Sequence, residues 1–187
     1  MRPYELIQVV YTNNISSDGH IFRIAEVHIK ALEGGVNKYE WQIPLMSDNQ
    51  KVIGIKVSDY RGLLKYDSLV DGNLVKLKIF FPALKRDEET TIKIQYYVTN
   101  YILKKSKNTF SSVCFFEWGY KVRSVTNKLE VSVCLPDNSK DIEINTNLPN
   151  RQIFKFGHKC YTICNTEKLT DGEIFGHINY TLVSPWA

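Results

Sequence analysis

Leu84-Lys-Arg-Asp-Glu-Glu-Thr-Thr-Ile-Lys-Ile-Gln-Tyr-Tyr-Val98 is an acidic turn that runs into a strand. Ile92, Ile94, Tyr96 and Val98 share one parity, and Lys93, Gln95, Tyr97 and Thr99 share the other. That two-residue period is the mark of a half-buried strand. A second stretch of the same design lies near the C-terminus: Leu169-Thr-Asp-Gly-Glu173, followed by Ile178, Tyr180 and Leu182 on the buried parity. Glu89 and Tyr96 are separated by the same distance in sequence as Glu173 and Tyr180. Two such closing strands imply two copies of one small β-unit in tandem.

Working backwards, the first hundred residues divide into about seven strands with turns every eight to twelve residues, the count of an immunoglobulin-like sandwich. Residues 5–13 give the first strand, stopped at Asn13-Asn14 and the turn Ser16-Ser-Asp-Gly19. The second alternates Ala25, Val27, Ile29 and Ala31 against Glu26, His28 and Lys30, and Gly34-Gly35 follows as a hairpin turn. In the third, Tyr39, Trp41, Ile43 and Leu45 oppose Lys38, Glu40 and Gln42, so the latter side reads as solvated. Pro44 fits near the end of that strand, where no ladder donor is needed. No window has a helical apolar period.

The polar, basic run Lys104-Lys-Ser-Lys107 is the natural boundary, giving units at 1–103 and 108–187. In the second unit Cys114, Phe116, Trp118, Tyr120 and Val122 share one face, and Leu129, Val131, Val133 and Leu135 follow. The expected fold is all-β, two immunoglobulin-like antiparallel β-sandwich units in tandem, with Trp41 and Trp118 in separate cores. Strand, proline and Asp-Asn loop recur in both halves, at Pro44 to Asn49 and at Pro136 to Asn138. Ile-Pro ending strand three, Glu-Thr-Thr-Ile-Lys-Ile-Gln-Tyr closing the unit and Phe116-Glu-Trp118 give the chain its resemblance. It is similar to the extracytoplasmic tandem β-sandwich regions of bacterial and archaeal predicted membrane proteins of unknown function. That resemblance implies a fold and no activity.

Composition narrows the classes. With 43% hydrophobic and 24% charged residues over 187, the chain is too apolar for disorder, and a net charge of +4 does not demand a polyanionic partner. Glu5, Gln8 and Asn13 interrupt any apolar signal core. A soluble, cytoplasmic protein is therefore expected, or an extracytoplasmic one if the chain is a trimmed ectodomain. Without an export signal, Cys114, Cys134, Cys160 and Cys164 are expected as four free thiols.

Catalytic patterns are missing from the sequence: there is no Gly-x-Ser-x-Gly elbow, no phosphate-cradling glycine loop and no His-Glu-x-x-His. His158, Cys160 and Cys164, with His177 later, resemble zinc ligands in spacing. On one strand, however, His158 and Cys164 would lie roughly 20 Å apart, too far for one ion. Asp87-Glu-Glu89 reads as a solvated turn ahead of a strand rather than as paired acids. No metal and no cofactor is expected.

By elimination the function expected is non-catalytic recognition of a protein partner, or of a second copy, through a sandwich face or edge. The rivals are nucleic-acid binding by a lysine and aromatic strand face and carbohydrate binding on a platform such as Trp186. The candidate surface is Lys76, Lys78, Phe80 and Tyr97, which would adjoin if the strand Leu74 to Phe81 paired with the closing strand.

Overall fold

The computed structural model describes residues 2–108 and 111–183; Phe110 and Trp186 lie outside the described residues. It is all-β in a sandwich-like arrangement, and the described residues contain no helix. In chain order the strands of the first half are β1 (Tyr4–Ile15), β2 (Ile21–Ala31), β3 (Val36–Pro44) and β4 (Val52–Asp59). Then come β5 (Gly62–Leu63), β6 (Lys65–Asp71), β7 (Leu74–Leu84) and β8 (Glu89–Val98). The remainder are β9 (Leu103–Asn108), β10 (Ser111–Lys121), β11 (Thr126–Cys134) and β12 (Ser139–Thr146), followed by β13 (Arg151–Phe156), β14 (Cys160–Asn165) and β15 (Glu173–Val183).

These strands build three sheets. The main sheet has eight strands in the order β13-β14-β11-β1-β2-β8-β4-β5, and the two smaller ones run β12-β15-β10-β9 and β3-β7-β6. The alternation read from the sequence holds closely. Ile92, Ile94, Tyr96 and Val98 of β8 are all buried, as are Tyr39, Trp41 and Ile43 of β3 and Ile178 and Tyr180 of β15.

What the alternation could not supply was each strand's neighbours. Gly34-Gly35 does not close a hairpin, because β2 belongs to the main sheet and β3 to the three-stranded one. The turn instead carries the chain across the core, with Gly35 at φ 91° and its N–H donating to Leu84 O. The acidic turn plays the same part in reverse between β7 and β8. Asp87, at φ 64°, donates from its N–H to Ala31 O at 2.8 Å, and Lys30 lies 3.3 Å from its carboxylate. Lys104 to Lys107 lies within strand β9, paired to β10.

The two halves share the main sheet. β1 runs parallel to β11, from Leu6 opposite Thr126 to Asn14 opposite Cys134. Parallel neighbours need a long crossover, and here most of the first half supplies it. Trp41 and Trp118 accordingly belong to one continuous apolar cluster, not to separate cores. Trp118 lies flat against the backbone opposite, where Gly176 leaves room: a Cβ there would stand 2.5 Å from the indole ring.

The cysteines also depart from expectation. Cys134 and Cys160 form a disulfide, with Cα atoms 4.1 Å apart, while Cys114 and Cys164 are free and buried. The cause is register. β11 and β14 run antiparallel with Cys134 opposite Cys160, and the next pair along is hydrogen-bonded through Leu135 N to Lys159 O. Cys134 and Cys160 thus occupy a non-hydrogen-bonded pair, where side chains approach closely. Titration of denatured, unreduced protein should count two thiols per chain; a count of four would remove the disulfide.

Candidate functional site

Among the described residues β3 is an edge strand, hydrogen-bonded to β7 on one side and to no strand on the other. Leu45 N donates to Asn73 O at 2.8 Å, continuing the register in which Pro44 opposes Leu74. Odd-numbered residues of β3 therefore bond to β7. By antiparallel alternation the N–H and C=O groups of Lys38, Glu40 and Gln42 point to the free edge. Pro44 belongs to the same parity, so its missing donor interrupts no ladder bond.

Two clefts run along this edge and share Glu40. The first, about 360 Å³, is walled by Tyr11, Tyr39, Trp41, Tyr120 and Phe175. The second, about 330 Å³, continues past Lys38 and Asn37 to Gly34-Gly35, with Arg2 and Tyr4 beneath. Together they flank the nine residues of β3, roughly 30 Å of extended chain.

The aromatic wall is assembled from all three sheets. Tyr11, on β1 near the middle of the main sheet, meets Trp41 of the three-stranded sheet at 5.3 Å between ring centroids and Tyr120 of the four-stranded sheet at 6.3 Å. Tyr120 is held by a 2.8 Å hydrogen bond between its hydroxyl and Thr126 Oγ1. The buried Trp41 Nε1 has no partner among the described residues.

Behind Tyr11 lies Arg23, buried, with no carboxylate against it among the described residues. Its Nε donates to Asn13 Oδ1 at 2.5 Å and its Nη1 to the Tyr96 hydroxyl at 3.5 Å. The rings of Tyr11 and Tyr101 lie 5.8 and 5.5 Å from the guanidinium carbon. Burial works to lower its pKa, but Tyr96 and Tyr101 outweigh it and the group is held more strongly protonated. Arginine cannot shed its charge there, so an amide oxygen, a hydroxyl and π-faces replace part of its water, while its buried Nη2 has no hydrogen-bond partner among the described residues.

Charges border the groove. Arg123 reaches over Gln42 and donates from Nη2 to its Oε1. Lys121 is neutralised by Glu173 at 3.0 Å. Arg2 donates from Nη1 to the Tyr4 hydroxyl at 2.6 Å. By composition alone Lys38, Glu40 and Gln42 make an ordinary solvated face. Pro44 was the one available signal that their strand is an edge.

The residues singled out from the sequence lie elsewhere. Lys76, Lys78 and Phe80 are on the outer side of β7 in the three-stranded sheet, whereas Tyr97 is on β8 in the main sheet, so the hairpin that would have joined them is not formed. Lys76 pairs with Asp71, and Lys78 lies 5.5 Å from the Phe80 ring centroid. Tyr97 packs against Phe22 in a tilted pair with ring centroids 4.6 Å apart and faces Ile53 in register. Cys160 is committed to its disulfide, and His177 lies on the four-stranded sheet against Phe115, 5.2 Å away. Among the described residues no group of three or more His, Cys, Asp or Glu side chains is placed to hold a metal ion, and no helix is long and apolar enough to cross a membrane.

No protein-family model matches the sequence, and no characterised protein matches it significantly. The fold does have solved counterparts. A provisionally named nutrient-binding protein of Legionella pneumophila superposes with a TM-score of 0.56 at 7% identity, over 94% of this chain and 67% of that one. A provisionally named protease from Parabacteroides distasonis gives 0.58 at 10% identity, over 94% of this chain and 40% of its own. Yeast LTA4 hydrolase in complex with bestatin gives 0.54 at 9%, over 94% of this chain and 28% of the hydrolase. The chain thus spans less than half the length of each of the latter two proteins. At these identities the likeness concerns the fold alone.

Burial of the wall has a pH signature. It raises the pKa of Tyr11 and Tyr39 well above the ordinary tyrosine value, and it pushes Tyr120 up to about 12 against the opposing hydrogen bond to Thr126. A phenol whose folded pKa is raised stabilises the fold fully below its unfolded value near 10, and that contribution is lost as pH rises toward about 12. Ultraviolet titration of the native protein should show a class of tyrosines that ionise only with unfolding, and stability falling above about pH 10. Ordinary titration of every tyrosine in folded protein would contradict the buried wall.

Proposed function

We propose that this chain is a non-catalytic recognition module that binds an extended segment of a protein partner, adding it as a strand to the free edge of β3. The observation that carries the reading is the pair of clefts meeting at Glu40 beside three outward-facing backbone positions. Main-chain hydrogen bonds to such an edge supply affinity without regard to sequence, and adjacent pockets choose the side chains. An exposed edge is ordinarily guarded by charge or covered. Here it is recessed between Arg2 and Tyr4 on one side and the ends of β10 and β15 on the other, which disfavours indiscriminate pairing and leaves room for one added strand.

The reading does not call for a metal or a cofactor. It favours protein over nucleic acid, because Lys76 and Lys78 are engaged by Asp71 and Phe80 rather than ranged along an open stripe. The Cys134–Cys160 disulfide supports an oxidising compartment in preference to the cytoplasm, in keeping with the resemblance to extracytoplasmic β-sandwich regions.

The test is selection from a displayed random-peptide library, repeated with Glu40→Pro. Proline at that position removes the central outward N–H without touching a bond to β7. Peptides should be enriched by the native protein and lost by the variant, with thermal stability of the variant close to that of the native chain. Failure to enrich any peptide, or equal enrichment by the variant, would overturn strand addition.

A further inference from the structure

The chemistry of the occupant follows from the order of side chains along β3, an inference that rests on strand addition at that edge. Each residue of an added strand lies opposite one residue of its neighbour, and the two side chains project on the same face. On the outer face β3 presents Lys38, then Glu40, then Gln42 with Arg123 fixed over it by the hydrogen bond to its amide oxygen. Among the described residues neither Lys38 nor Glu40 makes an ion pair, and Lys121, the other cation at that end, is already matched by Glu173. Along β3 itself the outer face therefore offers cation, anion, cation in successive positions, with Lys78 of β7 opposite Glu40 on the paired side. Between them, on the inner face, Tyr39 and Trp41 open onto the aromatic wall.

We propose that the groove selects an extended segment of alternating pattern: acidic, apolar, basic, apolar, acidic. The acidic residues would lie opposite Lys38 and Gln42–Arg123, the basic one opposite Glu40, and the two apolar side chains beside Tyr39 and Trp41. The pattern reads identically in both directions, so it holds whether the segment runs parallel or antiparallel to β3. Cross-strand pairs of opposite charge favour their register, and like charges in the same places oppose it. Arg123 is suited to the carboxylate because its guanidinium is oriented before the segment arrives.

The experiment compares two fluorescent peptides by anisotropy, each flanked by glycine and serine: one with the core Glu-Leu-Lys-Leu-Glu, the other with Lys-Leu-Glu-Leu-Lys. The first should bind at least about tenfold more tightly, and the preference should shrink as salt is added. A triple variant, Lys38→Glu, Glu40→Lys and Arg123→Glu, should reverse the order; none of these side chains is buried, and circular dichroism reports whether it folds. Should the variant not fold, the salt dependence on native protein decides alone. Equal binding of both peptides, abolished by Glu40→Pro, would overturn the charge pattern and leave strand addition standing. Binding of neither, while library-selected peptides bind, would also overturn the pattern. If no peptide of any kind binds, strand addition falls and the pattern with it.

Discussion

The parallel pairing of β1 with β11 is the constraint on which the molecule depends. It commits residues from the first and last thirds of the chain to adjacent positions in one sheet, over a run from Leu6 to Asn14. A parallel neighbour cannot be reached through a tight turn. The intervening chain must leave the main sheet and return, and on the way it lays down the three-stranded sheet and most of the first half of the core. The disulfide lies at the far end of the same β11, tying it to β14 and so to the β13–β14 hairpin at the margin of the main sheet.

From that arrangement comes the open edge. Both smaller sheets pack on the main sheet and converge over Tyr11, which touches Trp41 of one and Tyr120 of the other. Among the described residues no strand of one pairs with a strand of the other, and β3, the margin of the three-stranded sheet, keeps one side without a strand partner. Arg23 completes the junction from beneath, a permanent charge wrapped in Asn13, Tyr96 and two further tyrosine rings. Removing one member of such a set leaves a buried charge short of partners, which is why the junction is expected to be rigid. A rigid wall beside an unpaired edge is the setting in which added-strand recognition gains most from preorganisation.

Much of this was legible in the sequence at the level of single strands. Period-two alternation located β2, β3, β7, β8, β10, β11 and β15 and named the buried side of each, because it reflects nothing more than which face meets water. It could not name neighbours. Gly34-Gly35 and the acidic turn at Asp87 look like hairpin turns, yet both carry the chain between sheets, since a left-handed backbone position serves either purpose. The partnership of Cys134 and Cys160 depends on the register of β11 against β14, a long-range property with no local trace. The site was hidden for the same reason. Lys38, Glu40 and Gln42 have the composition of a solvated face, and only the missing neighbour beyond β3 makes them significant. Pro44 hinted at that edge; the recess around it arises from residues as distant as Arg2, Tyr120 and Phe175.

Hydrogen exchange at individual amides of β3 tests the central claim most directly, measured with and without a saturating selected peptide. Tyr39, Trp41 and Ile43 already donate to β7 in the register observed, so their protection should change little. The amides of Lys38, Glu40 and Gln42 face the open edge, and strand addition should slow their exchange markedly relative to those neighbours. Alternating protection of this kind is the expected result. Peptide binding that leaves Lys38, Glu40 and Gln42 exchanging as in the free protein would contradict the account.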